Sequence, residues 1–337
     1  MITVAREIAE KEWVRFVENH PGGNIFHTPE MFQVFARTKG YRPELWGAHQ
    51  EGHLLALLIP VKITLMNGVL RRLTTRSVVF GSILYESGAA GRDGVDKLLQ
   101  AYTHAPGQDS LFTELRNKSD HEILQPILVR HGFVFESEIN YLIRLARTEE
   151  ELFRSIGNRT RKNIRHGLNQ GRVKVEEVIK KEQVDLCFGL LKQSYEAAKV
   201  PLAHISLFEN AFDLLYPKGM VRFTLASLDE NPAALSVDLI YKDTIYGWFG
   251  GINRACGHHP VHELLMWDLL KWGSHNGYRT YDFGGAGKPE EKYGVRDFKA
   301  KFGGDLVSFG RNKYIHSPLL LRLCEGTYKA LRRFIWS

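Results

Sequence analysis

The stretch VRFTLASLDENPAALSVDLIYKDTIYGWFGG, residues 221–251, contains three runs of aliphatic, aromatic and β-branched residues. Two short polar segments, DENP and KD, separate these runs. Short hydrophobic runs bounded by Asp, Asn and Pro are typical of strands joined by tight turns. The sequence therefore predicts three consecutive strands, 221–228, 233–241 and 244–251, each antiparallel to the next.

Helical patterns flank these strands on both sides. Apolar residues recur at helical spacing in 184–199 and 206–215, and again in 260–276, where Gly277 is a suitable end for the helix. A final strand is predicted at 278–283. The order of this half is therefore helix, helix, three antiparallel strands, helix and strand.

The first part of the chain repeats this order in outline. Helical patterns at 7–19 and 28–39 precede a group of short strands, and alternating helices and strands follow. Thr148 and Glu151 then form a capping-box pattern that opens a new helix. A chain of 337 residues has the length of two domains. We predict an α/β (α+β) protein with domains at residues 1–146 and 147–316.

The composition narrows the class of protein. Hydrophobic residues make up 44% and charged residues 25%, as in globular proteins. No apolar run is long enough to span a bilayer, and the N-terminal MITVAREIAEKEW lacks the apolar core of a signal peptide. We therefore expect a cytoplasmic protein. Three distant cysteines argue against a disulfide framework or a zinc site.

The chain is basic, with a net charge of +7 and a pI near 9.2. This excess favours polyanionic partners such as nucleic acid, nucleotide diphosphates or anionic lipid, and it is equally compatible with ordinary solubility. Peripheral contact with the cytoplasmic face of a membrane follows as one option. No protein partner is implied.

A basic segment, NRTRKNIRHGLNQGRVKV, follows the predicted domain boundary and has no acidic residue interleaved. Like charges at helical spacing repel each other, so a helix that carries them is destabilised unless an anion compensates. One interpretation is a phosphate-binding surface, and the other is a solvated basic face. The candidate substrate-binding residues here are Arg159, Arg161, Lys162 and Arg165.

Three residues of the predicted strands are further candidates. Asp238 lies among apolar residues, opposite in face to Val237 and Leu239, and is a candidate general base facing a cleft. Its alternative is a place on a solvated face. Tyr246 and Trp248 share one face of the next strand by alternation and are candidates for lining the same cleft, with core packing as the alternative.

The closely spaced histidines of GHHPVHE are candidate metal ligands. Pro260 interrupts them, and no carboxylate or cysteine completes a known ligand spacing. We therefore predict no metal site at His258, His259 and His262, and no bound cofactor elsewhere.

Several segments together resemble the FemABX family of non-ribosomal peptidyl transferases, which belong to the GNAT-like superfamily. They are the basic segment, HPVHELLMWDLLKW, GYRTYDFGG, VRDFKAKFGG, and the N-terminal FHTPEMFQVF and GHLLALLIPV. BioF2-like acetyltransferase domains share these sequence segments. The resemblance implies two tandem GNAT-like domains, each a mixed, mainly antiparallel sheet flanked by helices. It also implies that a C-terminal helix, 317–337, packs back on the first domain.

The resemblance also implies a site. The strands 244–251 and 278–283 should splay apart and hold the acyl donor, with Gly284 and Gly285 at the turn. Lys299 matches the lysine of the family's "FK" motif, which stabilises charge in the transition state, and Phe298 anchors it. As a surface lysine beside a packed aromatic ring, Lys299 should also be replaceable without loss of folding.

The resemblance further bears on the donor. Arg254 and Gly257 partly match the coenzyme A loop of GNAT proteins, but His259 occupies the position of a small residue and would crowd a pyrophosphate.

Three functions follow. The first is transfer of an amino acid from aminoacyl-tRNA to a nucleotide- or lipid-linked cell-wall peptide precursor, as in peptidoglycan biosynthesis. The second is an acyl-coenzyme A-dependent N-acyltransferase acting on a polysaccharide or lipid precursor. The third is a non-catalytic tandem GNAT module that binds nucleic acid.

Overall fold

The computed structural model describes residues 1–66, 68, 71–106, 109–257, 259–291 and 294–322. The chain forms two compact units. The first comprises Met1–Ser137 and the chain from Phe309 onward, and the second comprises Glu138–Ser308.

The described residues of the first unit form nine strands and five α-helices before residue 137. The strands are β1 (Ile2–Ala5), β2 (Tyr41–Pro43), β3 (Trp46–Gln50), β4 (His53–Leu58), β5 (Val61–Thr64), β6 (Thr75–Val79), β7 (Leu84–Tyr85), β8 (Phe112–Arg116) and β9 (Val134–Glu136). The helices are α1 (Glu10–Asn19), α2 (Pro29–Arg37), α3 (Arg71–Thr74), α4 (Ala89–Thr103) and α5 (Gln125–Arg130). A four-stranded sheet has the order β1-β3-β4-β7.

The core of this unit is built around α4. Leu98, Leu99 and Tyr102 are fully buried and pack with Trp46 and Leu115 from the strands. The Tyr102 hydroxyl contacts the Thr113 hydroxyl at 2.7 Å, which satisfies its polar atom inside the apolar cluster. Burial on one helical face therefore fixes α4 on the sheets.

The second unit has one sheet with helices around it. Its strands are β10 (Asn140–Arg144), β11 (Val173–Glu177), β12 (Val221–Leu228), β13 (Asn231–Tyr241), β14 (Thr244–Ile252), β15 (Thr280–Gly285) and β16 (Asp305–Val307). Its helices are α6 (Glu149–Ser155), α7 (Asn158–Gln170), α8 (Val184–Ala197), α9 (Ser206–Leu215), α10 (Val261–His275) and α11 (Gly294–Ala300). The strand order is β11-β12-β13-β14-β15-β10-β16.

The three predicted strands are confirmed as β12, β13 and β14, which pair antiparallel in sequence order. Within this sheet, β14 and β15 are parallel neighbours. The connection between these two strands is α10, which buries Leu265 and Leu269. A helical crossover is the usual way to join parallel neighbours.

The borders of the units differ from the predicted ones because strands pair across long separations. β10 lies inside the predicted first domain, yet it pairs with β15 and β16 in the second unit. After β16 the chain returns to the first unit as β17 (Arg311–Ile315), which pairs with β8 and β9. This completes a six-stranded sheet of order β2-β5-β6-β8-β17-β9.

The predicted C-terminal helix, 317–337, is described only in its first turn. Residues 318–322 are helical, and the remainder from 323 lies outside the described residues. Among the helices that the structure describes, none has the length and apolar character needed to cross a membrane.

Candidate active site

The strands β14 and β15 separate after a short paired segment. Their parallel register covers Thr244 to Tyr246 on β14, opposite Thr280 to Asp282 on β15. Beyond Tyr246, β14 continues to Ile252 paired only with β13. A gap therefore opens between the two strands.

The edge of β14 that faces this gap carries backbone polar groups. The N–H of Ile252 donates to Ser194 Oγ at 2.6 Å, and its carbonyl accepts from the same hydroxyl at 3.0 Å. The N–H of Asn253 points the other way and donates to Ala233 O on β13. Because alternate residues of a strand direct these groups to opposite sides, Gly250 also turns its N–H and C=O into the gap.

A β-bulge interrupts β14 at the same place. Asp238 pairs with Gly247, and its neighbour Val237 pairs with Phe249, so Trp248 is the extra residue. A bulge leaves the extra residue outside the ladder and breaks the alternation of side chains. This corrects the expectation that Tyr246 and Trp248 share one face: Trp248 lines the cleft, whereas Tyr246 is not among its lining residues.

The gap is part of a cleft of about 420 Å³ within the second unit. Aromatic and aliphatic side chains dominate its walls. The lining residues are Ser194, Tyr195, Ala198, Val200, Ser236, Gly247, Trp248, Phe249, Gly250, Gly251, Ile252, Arg254, His262, Met266, Tyr281, Phe283, Gly285, Val295, Phe298 and Lys299. Its size and apolar character are those of small-molecule binding sites.

Asp238 lies beneath the floor of this cleft and not, as expected, facing it. Its side chain is fully buried and accepts hydrogen bonds from Ser236 Oγ at 2.6 Å and from Tyr281 Oη at 3.0 Å. Burial raises the pKa of Asp238 to about 7, although these two hydrogen bonds and Arg222 act in the opposite direction. The carboxyl therefore reaches the cleft through Ser236 and Tyr281, which both line it.

Gly247 makes the contact between Tyr281 and Asp238 geometrically possible. A Cβ atom at position 247 would lie 2.5 Å from Tyr281 Oη. The phenol extends from β15 past β14 to reach the carboxyl on β13. The absence of a side chain at 247 is thus required for the hydrogen bond.

Lys299 is held at the end of β15. Its Nζ donates to Phe283 O at 2.6 Å, to Gly285 O at 2.8 Å and to Gly284 O at 3.4 Å. Gly284 has a φ of +70°, which suits glycine and lets the strand end turn its carbonyls toward one point. The ammonium therefore satisfies strand-end carbonyls while lining the cleft. The side chain is thus held by its own hydrogen bonds and not by Phe298 packing alone, so we now expect its replacement to cost stability, where the sequence predicted nearly intact folding.

Phe298, the residue before it, is stacked on His262 with ring centroids 4.1 Å apart. Burial lowers the pKa of His262 to about 4, with a smaller contribution from Lys301, so this imidazole is neutral at pH 7. Within the part of the chain that the structure describes, no group of three or more His, Cys, Asp or Glu side chains converges to hold a metal ion. His258 lies outside that part.

The loop before α10 contains the partial coenzyme A motif. Gly257 has a φ of +63° and open space at its Cβ position, and Arg254 lines the cleft. α10 begins after Pro260 without a side-chain cap. Uncapped helix N-termini carry backbone N–H donors suited to anions.

The basic residues lie on α7, outside the cleft lining. Arg159, Lys162 and Arg165 are exposed, while Thr160 and Ile164 on the opposite side are buried. Arg161 is only partly exposed and donates to Arg154 O at 3.2 Å.

α7 also lies beside the start of α10. A Cβ at Gly167 would lie 2.9 Å from Pro260 and 2.7 Å from Leu264. The buried face of α7 thus packs closely against the start of α10, and the basic residues lie on the other side of the same helix.

Three positions were missed at the sequence level. Ser194, Ser236 and Tyr281 contact the strand edge or Asp238, and each belongs to a different element. Only Ser236 carried a usable signal, because it is two residues from Asp238 on the same strand and therefore on the same face.

Comparison with known proteins agrees with this architecture. Residues 154–299 match the family model described as "Acetyltransferase (GNAT) domain". The crystal structure of FemX has a TM-score of 0.72 and 15% identity, and the match covers 95% of this chain and 99% of FemX. The chain therefore contains a region that matches the GNAT domain, and its fold is similar to that of FemX. The prediction of two tandem GNAT-like domains in an α/β protein is confirmed at the level of the fold. The prediction of an acyltransferase is supported by the match of residues 154–299 to the acetyltransferase domain.

Two further solved structures are similar to this chain. L-PGS from Bacillus licheniformis has a TM-score of 0.58 at 12% identity, covering 95% of this chain and 98% of L-PGS. A tandem GNAT protein from the clavulanic acid biosynthesis pathway has a TM-score of 0.55 at 10% identity, covering 94% and 99%. No curated protein matches the sequence. At these identities the likenesses concern the fold.

Proposed function

We propose that the protein forms an amide bond by transferring an amino acid from aminoacyl-tRNA to an amine of a cell-wall peptide precursor, either nucleotide- or lipid-linked. The observation that carries this proposal is the cleft between the separated ends of β14 and β15, with Lys299 on its wall. The match of residues 154–299 to an acetyltransferase domain supports the acyl-transfer chemistry, and the likeness to FemX supports the fold.

The chemistry needs a place for developing negative charge. Attack of the amine on the ester carbonyl forms a C–N bond and an oxyanion. The ester C–O bond then breaks, and the leaving tRNA oxygen takes up a proton, which balances the proton that the amine gives up. The ammonium of Lys299 places a fixed positive charge on the cleft wall, and the N–H of Gly250 on the β14 edge is directed into the gap, so both are placed to stabilise that oxyanion. Lys299 is therefore assigned a catalytic role.

The amine must also lose a proton. Ser236 Oγ lies at the cleft surface and donates to Asp238, so it is placed to accept the proton of the amine while passing its own to the carboxylate. A carboxyl with a pKa of about 7 suits such a relay near neutral pH. Asp238 acts through Ser236 and is a positioning and proton-accepting group beneath the site.

In this proposal, the tRNA that carries the amino acid contacts the exposed basic face of α7. Arg159, Lys162 and Arg165 present charge without acidic neighbours on the same helix, and phosphates would relieve their mutual repulsion. The same helix adjoins the N-terminus of α10, where backbone N–H groups favour phosphate.

The experiment is a pair of calorimetric titrations of the purified protein, one with aminoacyl-tRNA and one with acetyl-coenzyme A. We expect binding of tRNA in the micromolar range or tighter, and little heat with acetyl-coenzyme A. Saturable, stoichiometric binding of acetyl-coenzyme A without tRNA binding would overturn the proposal. Binding of tRNA without transfer to any amine acceptor would instead favour a non-catalytic nucleic-acid module.

The second candidate, an acyl-coenzyme A-dependent N-acyltransferase, rests on one observation. The Arg254–Gly257 turn and the uncapped start of α10 adjoin the cleft as a pyrophosphate site would. Against it stands His259, which puts a ring where close backbone approach needs a small residue. Conversion of acetyl-coenzyme A to free coenzyme A in the presence of amino sugars or lipid amines would select this candidate.

A further inference from the structure

The walls of the cleft carry apolar side chains that are partly exposed. Trp248, Phe249, Phe283 and Phe298 present aromatic surface, and Val200 and Val295 present aliphatic surface. The two valines are 48% and 44% exposed, which is unusual apolar exposure at a cleft wall. These side chains have apolar surface that a bound group would cover.

The charges of the cleft have one sign. Among its described lining residues, Arg254 and Lys299 are the charged ones and no Asp or Glu is present. The carboxyl beneath the floor, Asp238, is covered by Ser236 and Tyr281. A cationic side chain entering this space would therefore be desolvated without a carboxylate partner.

We propose that the cleft selects a transferred acyl group with an apolar side chain of branched-aliphatic or aromatic size, and discriminates against glycyl and lysyl groups. This inference rests on the proposed function for its site and refines the substrate class. A glycyl group would leave the aromatic walls uncovered, and a lysyl group would place a second ammonium near Lys299. In this proposal the N–H of Gly250 on the β14 edge takes the acyl carbonyl, and the side chain of the acyl group then faces these walls.

The test uses small probes that carry neither tRNA nor coenzyme A. N-acetyl amides of leucine, phenylalanine, glycine and lysine are titrated into the protein, and the indole N–H resonance of Trp248 is followed by NMR. The Trp248→Phe variant identifies that resonance. We expect saturable shifts with the leucine and phenylalanine probes and at least about tenfold weaker binding of the other two. The glycine probe lacks the methylene groups that would be buried, and the lysine probe brings an ammonium without a carboxylate partner.

Two substitutions sharpen the test. Val295→Glu adds a carboxylate at the wall and should weaken the leucine probe relative to the lysine probe. Val129→Glu makes the same change on an exposed helical position of the first unit, where the side chain is 63% exposed, and should leave the preference unchanged.

Equal or tighter binding of the lysine or glycine probe by the unmodified protein, or silence of the Trp248 signal with every probe, would overturn the inference. An unchanged preference in Val295→Glu would overturn it as well. None of these outcomes depends on which carrier the enzyme uses, so failure here is distinguishable from failure of the tRNA titration.

Discussion

Contacts between single side chains and backbone atoms decide how this site is held. Lys299 joins α11 to the end of β15 through backbone carbonyls, and Tyr281 joins β15 to β13 through Asp238. Both contacts span elements that the β14–β15 gap would otherwise leave loosely connected. The residues of the site thus also stabilise its shape.

Replacement of Lys299 by methionine tests this dual role. Carbonyls of Phe283 and Gly285 would lose their donor, so we expect a loss of about 1–3 kcal/mol in the free energy of unfolding. Amide formation should fall by about a hundredfold or more. Chemical denaturation and a transfer assay measure the two effects. Lys301→Met, at an exposed neighbouring lysine, is the control and should change stability by less than about 0.5 kcal/mol. Full activity in Lys299→Met would refute the catalytic role.

Gly247→Ala should separate Tyr281 from Asp238. The new methyl group would lie 2.5 Å from the phenol oxygen, so Tyr281 must move and its hydrogen bond breaks. Because that bond lowers the pKa of Asp238, the carboxyl should titrate at higher pH in the variant. Carbon-detected NMR of the aspartate carboxyls measures this, with Gly250→Ala as the control because its Cβ position is less crowded. An unchanged Asp238 titration would contradict the geometry.

Asp238 should also shape the dependence of stability on pH. Its pKa is about 7 when folded and 3.8 in the reference state, so between these values the folded chain binds a proton that the unfolded chain does not. Its contribution to stability is therefore complete below about pH 4 and falls as pH rises to about 7, by at most about 1.4 kcal/mol per pH unit. Asp238→Asn should remove this decline. Urea denaturation from pH 4 to 8 compares the two proteins, and parallel curves would show that Asp238 does not titrate in this range.

At the scale of elements, the order of strands and helices around the site was predictable and its details were not. The runs at 221–251 are rich in aliphatic, aromatic and β-branched residues between clear turn signals, so β12, β13 and β14 follow from the sequence. The bulge at Trp248 arises from the register between two strands. The residue pattern of one strand does not show that register, so the bulge could not be predicted. For that reason the predicted partner of Trp248, Tyr246, falls outside the cleft lining.

The element α7 yields a prediction about salt. If Arg159 and Lys162 contact phosphates, each change to alanine should weaken tRNA binding and make the dependence of log K on log salt shallower by about 0.7–0.9. Filter binding at several salt concentrations measures the slope. Lys192→Ala, at an exposed lysine of α8, is the control and should keep it. Identical slopes for all four proteins would mean that the basic face of α7 is merely solvated.

At the scale of the whole molecule, the division of the chain into two units was predictable from length and from the repeated order of elements. The exact borders were not, because β10 and β17 pair with strands far away in sequence. Local patterns identify such short strands poorly and carry no information about which sheet they join. The same limit explains why Ser194 and Tyr281 were found only in the folded chain.

Truncation tests the contribution of β17. A chain ending at Ser308 would lose the strand that lies between β8 and β9 and the pairing it provides, so the first unit should lose protection from hydrogen exchange. The strands β12 to β14 of the second unit should remain protected. A chain ending at 322 keeps β17 and is the control. Equal protection of β8 in both truncated chains would contradict the prediction.

The position of β17 also bears on biosynthesis. Domains generally fold in the order in which they leave the ribosome, the N-terminal one first. Here the second unit is one continuous segment, Glu138–Ser308, whereas the first unit requires Arg311–Ile315, which are translated afterwards. The second unit can thus complete its sheet while the ribosome is still elongating. In the first unit, β8 and β9 lack their shared partner strand until β17 has been translated. The half of the protein that is made first is the half that matures last.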